Sequence, residues 1–186
     1  MKPAGQDVLY DSLPISDHEL VELRPIVRSD IDRWYAYLSQ PCVFEHTSWD
    51  LNSPEDLASH VLPLDGTSPE AMFRLAVSER ASGLLVGTIG FHSVWPPDRR
   101  AELAYDLAPE IWGKGIGTHL VRLMVKWAHE HAGIARVQAT VMPSNARSIA
   151  VLRNCGFEYE GLLRSYRVVR GRPGDFGMYS HIAGEP

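Results

Sequence analysis

Three glycines at alternate positions, Gly113, Gly115 and Gly117, join a strand-like run to a helix-like run, and no other segment restricts the chain as much. Upstream, Ala101–Leu107 alternates in the two-residue period of a strand. Downstream, Gly115–His131 sets Ile116, Leu120, Leu123, Met124, Trp127 and Ala128 on one side of a helix. Glycine admits backbone angles that other residues avoid and lets a ligand approach the main chain. A helix N-terminus offers free N–H groups and a partial positive charge, and Lys114 adds a cation nearby. The junction therefore reads either as a diphosphate site or as a tight turn whose glycines serve helix–sheet packing. Spacing excludes two familiar phosphate loops. The P-loop pattern G-x-x-x-x-G-K-S/T is absent, and G-x-G-x-x-G fails at Thr118. The turn also lies past the middle of the chain, whereas a dinucleotide-binding turn follows the first strand.

Around this junction the periodicities predict seven strands and four helices. The strands are Glu19–Val27, Phe73–Glu79, Leu84–Phe91, Ala101–Leu107, Ala135–Val141, Phe157–Val169 and Asp175–Ile182. Helices are expected from Ser29 or Asp30 to Ser39, from Ser53 to about Leu62, over Gly115–His131, and over Asn145–Cys155 with Gly156 as its stop. Val94–Arg100 reads as a loop, and Gly171–Gly174 as the turn joining the last two strands. Residues 1–18 read as a tail or an extra strand, and 19–183 as a single α+β domain. The helix between Ala101–Leu107 and Ala135–Val141 requires those strands to be parallel or separated by another.

Composition narrows the function classes. A chain of 186 residues with 45% hydrophobic and 22% charged residues can bury one ordinary core. A net charge of −5 argues against a nucleic-acid backbone as partner. Cys42 and Cys155, far apart, make neither a disulfide framework nor a metal cluster. His129 and His131 lie two apart on a helix and do not share a face, so no metal is expected. No apolar run reaches a membrane span and the N-terminus has no signal-like core, so a cytoplasmic, membrane-free protein is expected.

Three blocks carry a resemblance. The segment from Trp112 to Thr118, W-G-K-G-I-G-T, resembles the pyrophosphate loop of the GNAT superfamily of N-acetyltransferases, Q/R-x-x-G-x-G/A. Trp112 stands where many members carry Gln or Arg, a departure similar to the ribosomal-protein N-terminal acetyltransferase (RimJ/RimL-like) branch. Asn145–Phe157 resembles the family's N-x-x-S-x-x-V-L-x-x-x-G-F block, and Ala101–Leu107 its A-E-I/L-x-Y-x-L strand. The resemblance implies a GNAT fold, with a mixed central sheet of about seven strands and about four helices.

It also implies a chemistry: an amine attacks the thioester of acetyl-CoA directly, in a ternary complex. The cofactor would be held by the main chain of Asp106, Leu107 and Ala108, by Trp112, Gly113, Lys114, Gly115, Ile116, Gly117 and Thr118, and by Asn145 and Ser148. Glu102, 13 residues before Gly115, matches a general base, or is a strand carboxylate paired with Arg99, Arg100 or a neighbouring strand. The family's usual acid, a tyrosine four residues before the G-F glycine, is Leu152 here, which leaves Ser148 to hydrogen-bond the departing thiolate. Asn145 doubles as a helix cap. Trp34, Tyr35, Tyr37, Phe44, Trp49 and Trp95 fall in the regions that form the acceptor cleft of relatives, or simply build core. The expected acceptor is a protein N-terminus or a small amine, and a homodimer is compatible with the reading. Transfer of another short acyl group such as succinyl, and an acetyl-CoA sensor with little turnover, are the alternatives.

Overall fold

The computed structural model describes residues 13–61 and 73–184. Residues 1–12 of the expected tail and the expected helix end at Leu62 lie outside them; residues 13–18 form no strand. Seven strands are present among the described residues: β1 (Val21–Pro25), β2 (Phe73–Glu79), β3 (Leu85–Trp95), β4 (Arg100–Leu107), β5 (Arg136–Val141), β6 (Glu158–Val169) and β7 (Arg172–Ile182). They make one mixed sheet in the order β1-β2-β3-β4-β5-β7-β6. Four α-helices accompany it: α1 (Ile31–Leu38), α2 (Pro41–Phe44), α3 (Ile116–Glu130) and α4 (Ala146–Asn154). This is the α+β architecture expected from the sequence.

Strand alternation feeds two cores. Phe73, Leu75 and Val77 of β2 join Ile116, Leu120, Met124 and Trp127 of α3, while Ala76 between them joins Trp34, Tyr37 and Leu38 of α1. Each large apolar side chain buried along α3 contributes about 1.5–3 kcal/mol, enough to hold a helix that begins on glycines. Only β4 and β5 are parallel. They pair from Arg100–Glu102 to Arg136–Gln138 and then part company. The sheet thus opens along the C-terminal half of β4, directly before the glycine turn.

Four local expectations are corrected. β3 runs on to Trp95, because a bulge at His92 absorbs one residue and lets Ser93–Trp95 keep pairing with Arg100–Glu102. Pro54–His60 is a 3-10 helix, since Leu57 is the only fully buried side chain among those described there and no 3.6-residue apolar stripe imposes α geometry. A proline-initiated turn of α-helix, Pro41–Phe44, lies between the two expected helices, where no element is predicted. The β6–β7 turn is Arg170-Gly171, with φ of 49° and 75°, two residues earlier in centre than expected. Arg170 tolerates that backbone because its Nη1 donates to the carbonyls of Phe44, Thr47 and Trp49 at 3.0–3.2 Å, tying the segment after α2 to the hairpin.

Candidate active site

The glycine turn supplies one wall of a groove. Gly113 and Gly115 both sit at φ 75°, where a β-carbon is strained, and Gly115 is the N-cap residue of α3. A glycine cap has no side chain to bond the first-turn amides, so those donors face the groove. Gly117 has ordinary angles and serves packing instead: a β-carbon there would lie 3.3 Å from Leu107 Cδ1 and 3.6 Å from Val151 Cγ2. Trp112 donates its indole N–H to the Leu107 carbonyl at 2.8 Å, and the Arg147 guanidinium lies 4.4 Å above the indole ring. This groove, of about 410 Å³, runs from Trp112 and Gly113 along α3 and α4 to Tyr105. Its donors, its cation and its apolar walls fit a diphosphate followed by a long thiol arm.

A second cavity, about 290 Å³, lies on the other side of Tyr105. The two share His46, Thr47, Tyr105, Asn145 and Ser148. At this junction the Tyr105 phenol and the Ser148 hydroxyl are 2.8 Å apart. Burial pushes the Tyr105 phenol up to about 12, partly offset by the Ser148 hydrogen bond, so it stays protonated at neutral pH. Asn145 caps α4, its Oδ1 accepting from the Ser148 amide at 3.0 Å while its Nδ2 donates to the His46 carbonyl at 3.1 Å.

Glu102 lines the second cavity with 4% of its surface exposed. Its partners are neither Arg99 nor Arg100. Oε1 accepts from Thr140 Oγ1 at 2.8 Å and from Arg167 Nη2 at 2.6 Å. Arg167 reaches it because β6 bulges between Leu163 and Arg167, a loop held by the Ser165 amide on Asp175 Oδ1 at 2.8 Å. Beneath the cavity floor the Asp106 carboxylate is enclosed by Arg74, Tyr37, Trp34 Nε1 at 3.1 Å and Thr88 Oγ1 at 2.9 Å. Burial and the facing carboxylate raise the Tyr37 phenol well above its ordinary value, which keeps it a donor. His60 packs edge-on against Trp34 and Trp49; burial, with Arg74 nearby, lowers it to about 4, so it is neutral at pH 7.

The sequence matches the acetyltransferase (GNAT) domain family over residues 21–158, most of the chain. The protein is a GNAT acetyltransferase. It is 30% identical over 171 residues to the uncharacterized N-acetyltransferase YoaA of Bacillus subtilis, covering 91% of this chain and 97% of YoaA. Its fold is similar to that of the ribosomal-protein-S5-alanine acetyltransferase of Vibrio fischeri, with a TM-score of 0.73 and 22% identity over 92% of this chain and 97% of that one. It is also similar to the spermidine N-acetyltransferase of Vibrio cholerae solved with CoA and spermine, with a TM-score of 0.74 and 19% identity over 89% of this chain and 96% of that one.

GNAT enzymes use acetyl-CoA as co-substrate, and the α3–α4 groove is where this chain has the donors to hold it. Most of the residues singled out in the sequence gather there: the groove is lined by Asp106, Leu107, Trp112, Gly113, Gly115, Ile116, Gly117, Thr118, Asn145 and Ser148. Ala108 and Lys114 do not line it. Ala108 is fully buried and its N–H is spent on the Val86 carbonyl at 2.9 Å. Successive strand amides point to opposite edges, so the amides aimed at the opening beside β5 are those of Tyr105 and Leu107. The Asp106 side chain belongs to the α1 core. Leu152, in place of the family tyrosine, is fully buried. Among the described residues no group of His, Cys, Asp or Glu could hold a metal ion, and no helix could cross a membrane. Tyr105, Arg147 and Arg167 were not singled out by sequence. For Arg147 and Arg167 no spacing signals the contact, whereas Tyr105 stood in plain view in the A-E-L-A-Y-D-L strand.

Proposed function

We propose that this acetyltransferase passes the acetyl group of acetyl-CoA to a primary amine by direct attack within a ternary complex, in the cytoplasm. The observation that carries the reading is the meeting of two cavities at Tyr105 and Ser148, one with anion-binding donors and one with a carboxylate. The amine nitrogen attacks the thioester carbon from the second cavity, forming C–N as C–S breaks. Glu102 accepts the proton of the attacking amine; both of its hydrogen bonds fall on Oε1, which leaves Oε2 to turn toward the amine. The Leu107 and Tyr105 amides are placed to steady the carbonyl oxygen. Tyr105 donates to the departing sulfur, with Ser148 fixing the phenol's direction. A sensor without turnover is disfavoured, because the donor missing at position 152 is replaced from β4. Trp112 in the glycine loop supports kinship with the RimJ/RimL-like branch, and the two structures of similar fold named above are a ribosomal-protein-S5-alanine acetyltransferase and a spermidine N-acetyltransferase.

Initial rates test the reading. With acetyl-CoA and amine varied together, thiol release should give intersecting double-reciprocal lines and a product heavier by one acetyl group. Parallel lines would point to an acyl-enzyme and sink direct attack.

A further inference from the structure

The cavity that receives the amine holds a pair of opposite charges rather than an excess of negative charge. Glu102 is the one carboxylate among its lining residues, and it already faces Arg167 at 2.6 Å. Arg74 also lines it, but its charge is answered from below by Asp106, and its Nε donates to Thr88 Oγ1 at 2.7 Å. His60 is neutral and adds no negative charge. A polyamine needs several carboxylates for its several ammonium groups, and this cavity offers none to spare. A simple monocation that takes Glu102 from Arg167 leaves a part-buried guanidinium without its carboxylate, which is unfavourable.

A zwitterion avoids that cost. Its ammonium can turn to Glu102 and its carboxylate to Arg167, so every charge keeps a partner. The geometry suits this exchange, because the two protein charges are as close together as the amine and carboxylate of one small molecule. Arg167 is the more exposed member of the pair: its side chain is 28% exposed against 5% for Glu102, and it directly follows a bulge. A guanidinium also binds a carboxylate in a planar, two-bonded fork, which gives orientation as well as charge. A volume of about 290 Å³ suits a small molecule.

The geometry points to a small amino acid-like acceptor: a primary amine with a carboxylate two or three bonds away, whose carboxylate takes Arg167 and so frees Glu102 to receive the amine proton. Arg167 is thus a specificity residue for the acceptor and a positioning residue for Glu102. This rests on Glu102 serving as the proton acceptor in the transfer proposed above.

Thiol release measured with each common amino acid, with its own carboxamide, with a neutral tripeptide amide and with spermidine tests it. The best amino acid is expected to exceed its carboxamide by about 10–100-fold in kcat/KM, the weight of a charge-assisted hydrogen bond. In Arg167→Gln that ratio should collapse toward one, while Arg167→Lys keeps part of it. A merely structural role would lower both substrates together and leave the ratio intact. Carboxamides, the peptide or spermidine reacting as well as the free acids would overturn this inference and leave acetyl transfer standing. Absence of transfer to every amine, with acetyl-CoA still bound by calorimetry, would overturn both.

Discussion

Replacing Tyr105 by Phe removes one oxygen from the junction of the two cavities and leaves the ring that packs beside it. The loss can be bounded before it is measured. The phenol is pushed up to about 12 by burial. A coenzyme A thiol should resemble a cysteine thiol, with a reference pKa of about 8.5. Complete proton transfer from such a phenol to the thiolate runs uphill by about 5 kcal/mol, so Tyr105 serves as a hydrogen-bond donor and not as a full acid. One such bond to a developing anion is worth roughly 1.5–3 kcal/mol, or about 10–150-fold in rate. That falls below the ~10²–10⁴-fold upper range of general acid catalysis. Single-turnover thiol release in Tyr105→Phe should therefore slow by about 10–150-fold, with acetyl-CoA affinity nearly unchanged. Ser148→Ala should lose less, because the phenol still donates after losing its 2.8 Å partner. The pH profile gives an independent check. A phenol raised to about 12 stays protonated through the assay range, so it contributes no alkaline fall in kcat below about pH 11. A wild-type rate in Tyr105→Phe would mean that water alone serves the thiolate. An alkaline limb near pH 9–10 that vanishes in Tyr105→Phe would refute the raised phenol.

Glu102→Gln should lower kcat by roughly 10²–10⁴-fold; full activity in the variant would leave Glu102 only its bonds to Arg167 and Thr140. Gly115→Val forces a β-branched residue to φ 75°, costs about 1–2 kcal/mol of stability and should weaken acetyl-CoA binding by at least about tenfold; unchanged calorimetric affinity in the folded variant would remove the glycine turn from the site. Glu160 is lowered to about 2 chiefly by its hydrogen bonds from Arg136, then Ser180. Its folded value lies below its ordinary 4.5, so its stabilisation is full above that pH and is lost as pH falls through about 2. Glu160→Gln should then cost about 0.5–1 kcal/mol at pH 7, discounted for a partly exposed pair, and nothing near pH 2; denaturation at both pH values checks it.

The order of elements was legible because each core strand and helix keeps its own period over enough residues to be counted. Legibility failed where one residue changed the phase. At His92 the apolar alternation of β3 slips by one, so a reading by period ends the strand at Phe91, although three further pairs follow. The β6–β7 hairpin misled in another way. Four punctuating residues, Gly171 to Gly174, drew the turn toward themselves, while the actual turn uses Arg170, whose positive φ is held by three carbonyls from a segment over 120 residues away. Local propensity cannot encode that support.

The site divides along the same line. The glycine turn is a local device: its angles, its helix and its free amides all come from consecutive residues, so spacing marked the turn and the family resemblance gave it a cofactor reading. The proposed acceptor cavity is built from charges that meet only in three dimensions. His92 is the extra residue of β3, the irregularity at which a period-based reading ends that strand, and Arg167 is the first paired residue after the bulge of β6. A bulge turns a side chain out of its regular face. On the reading proposed above, acceptor specificity rests on the long-range contact of Arg167 with Glu102, which no local period signals. By this reasoning the tyrosine on α4 is dispensable for a physical reason: position 152 is fully buried, and β4 itself delivers a phenol to the opening between the parallel strands.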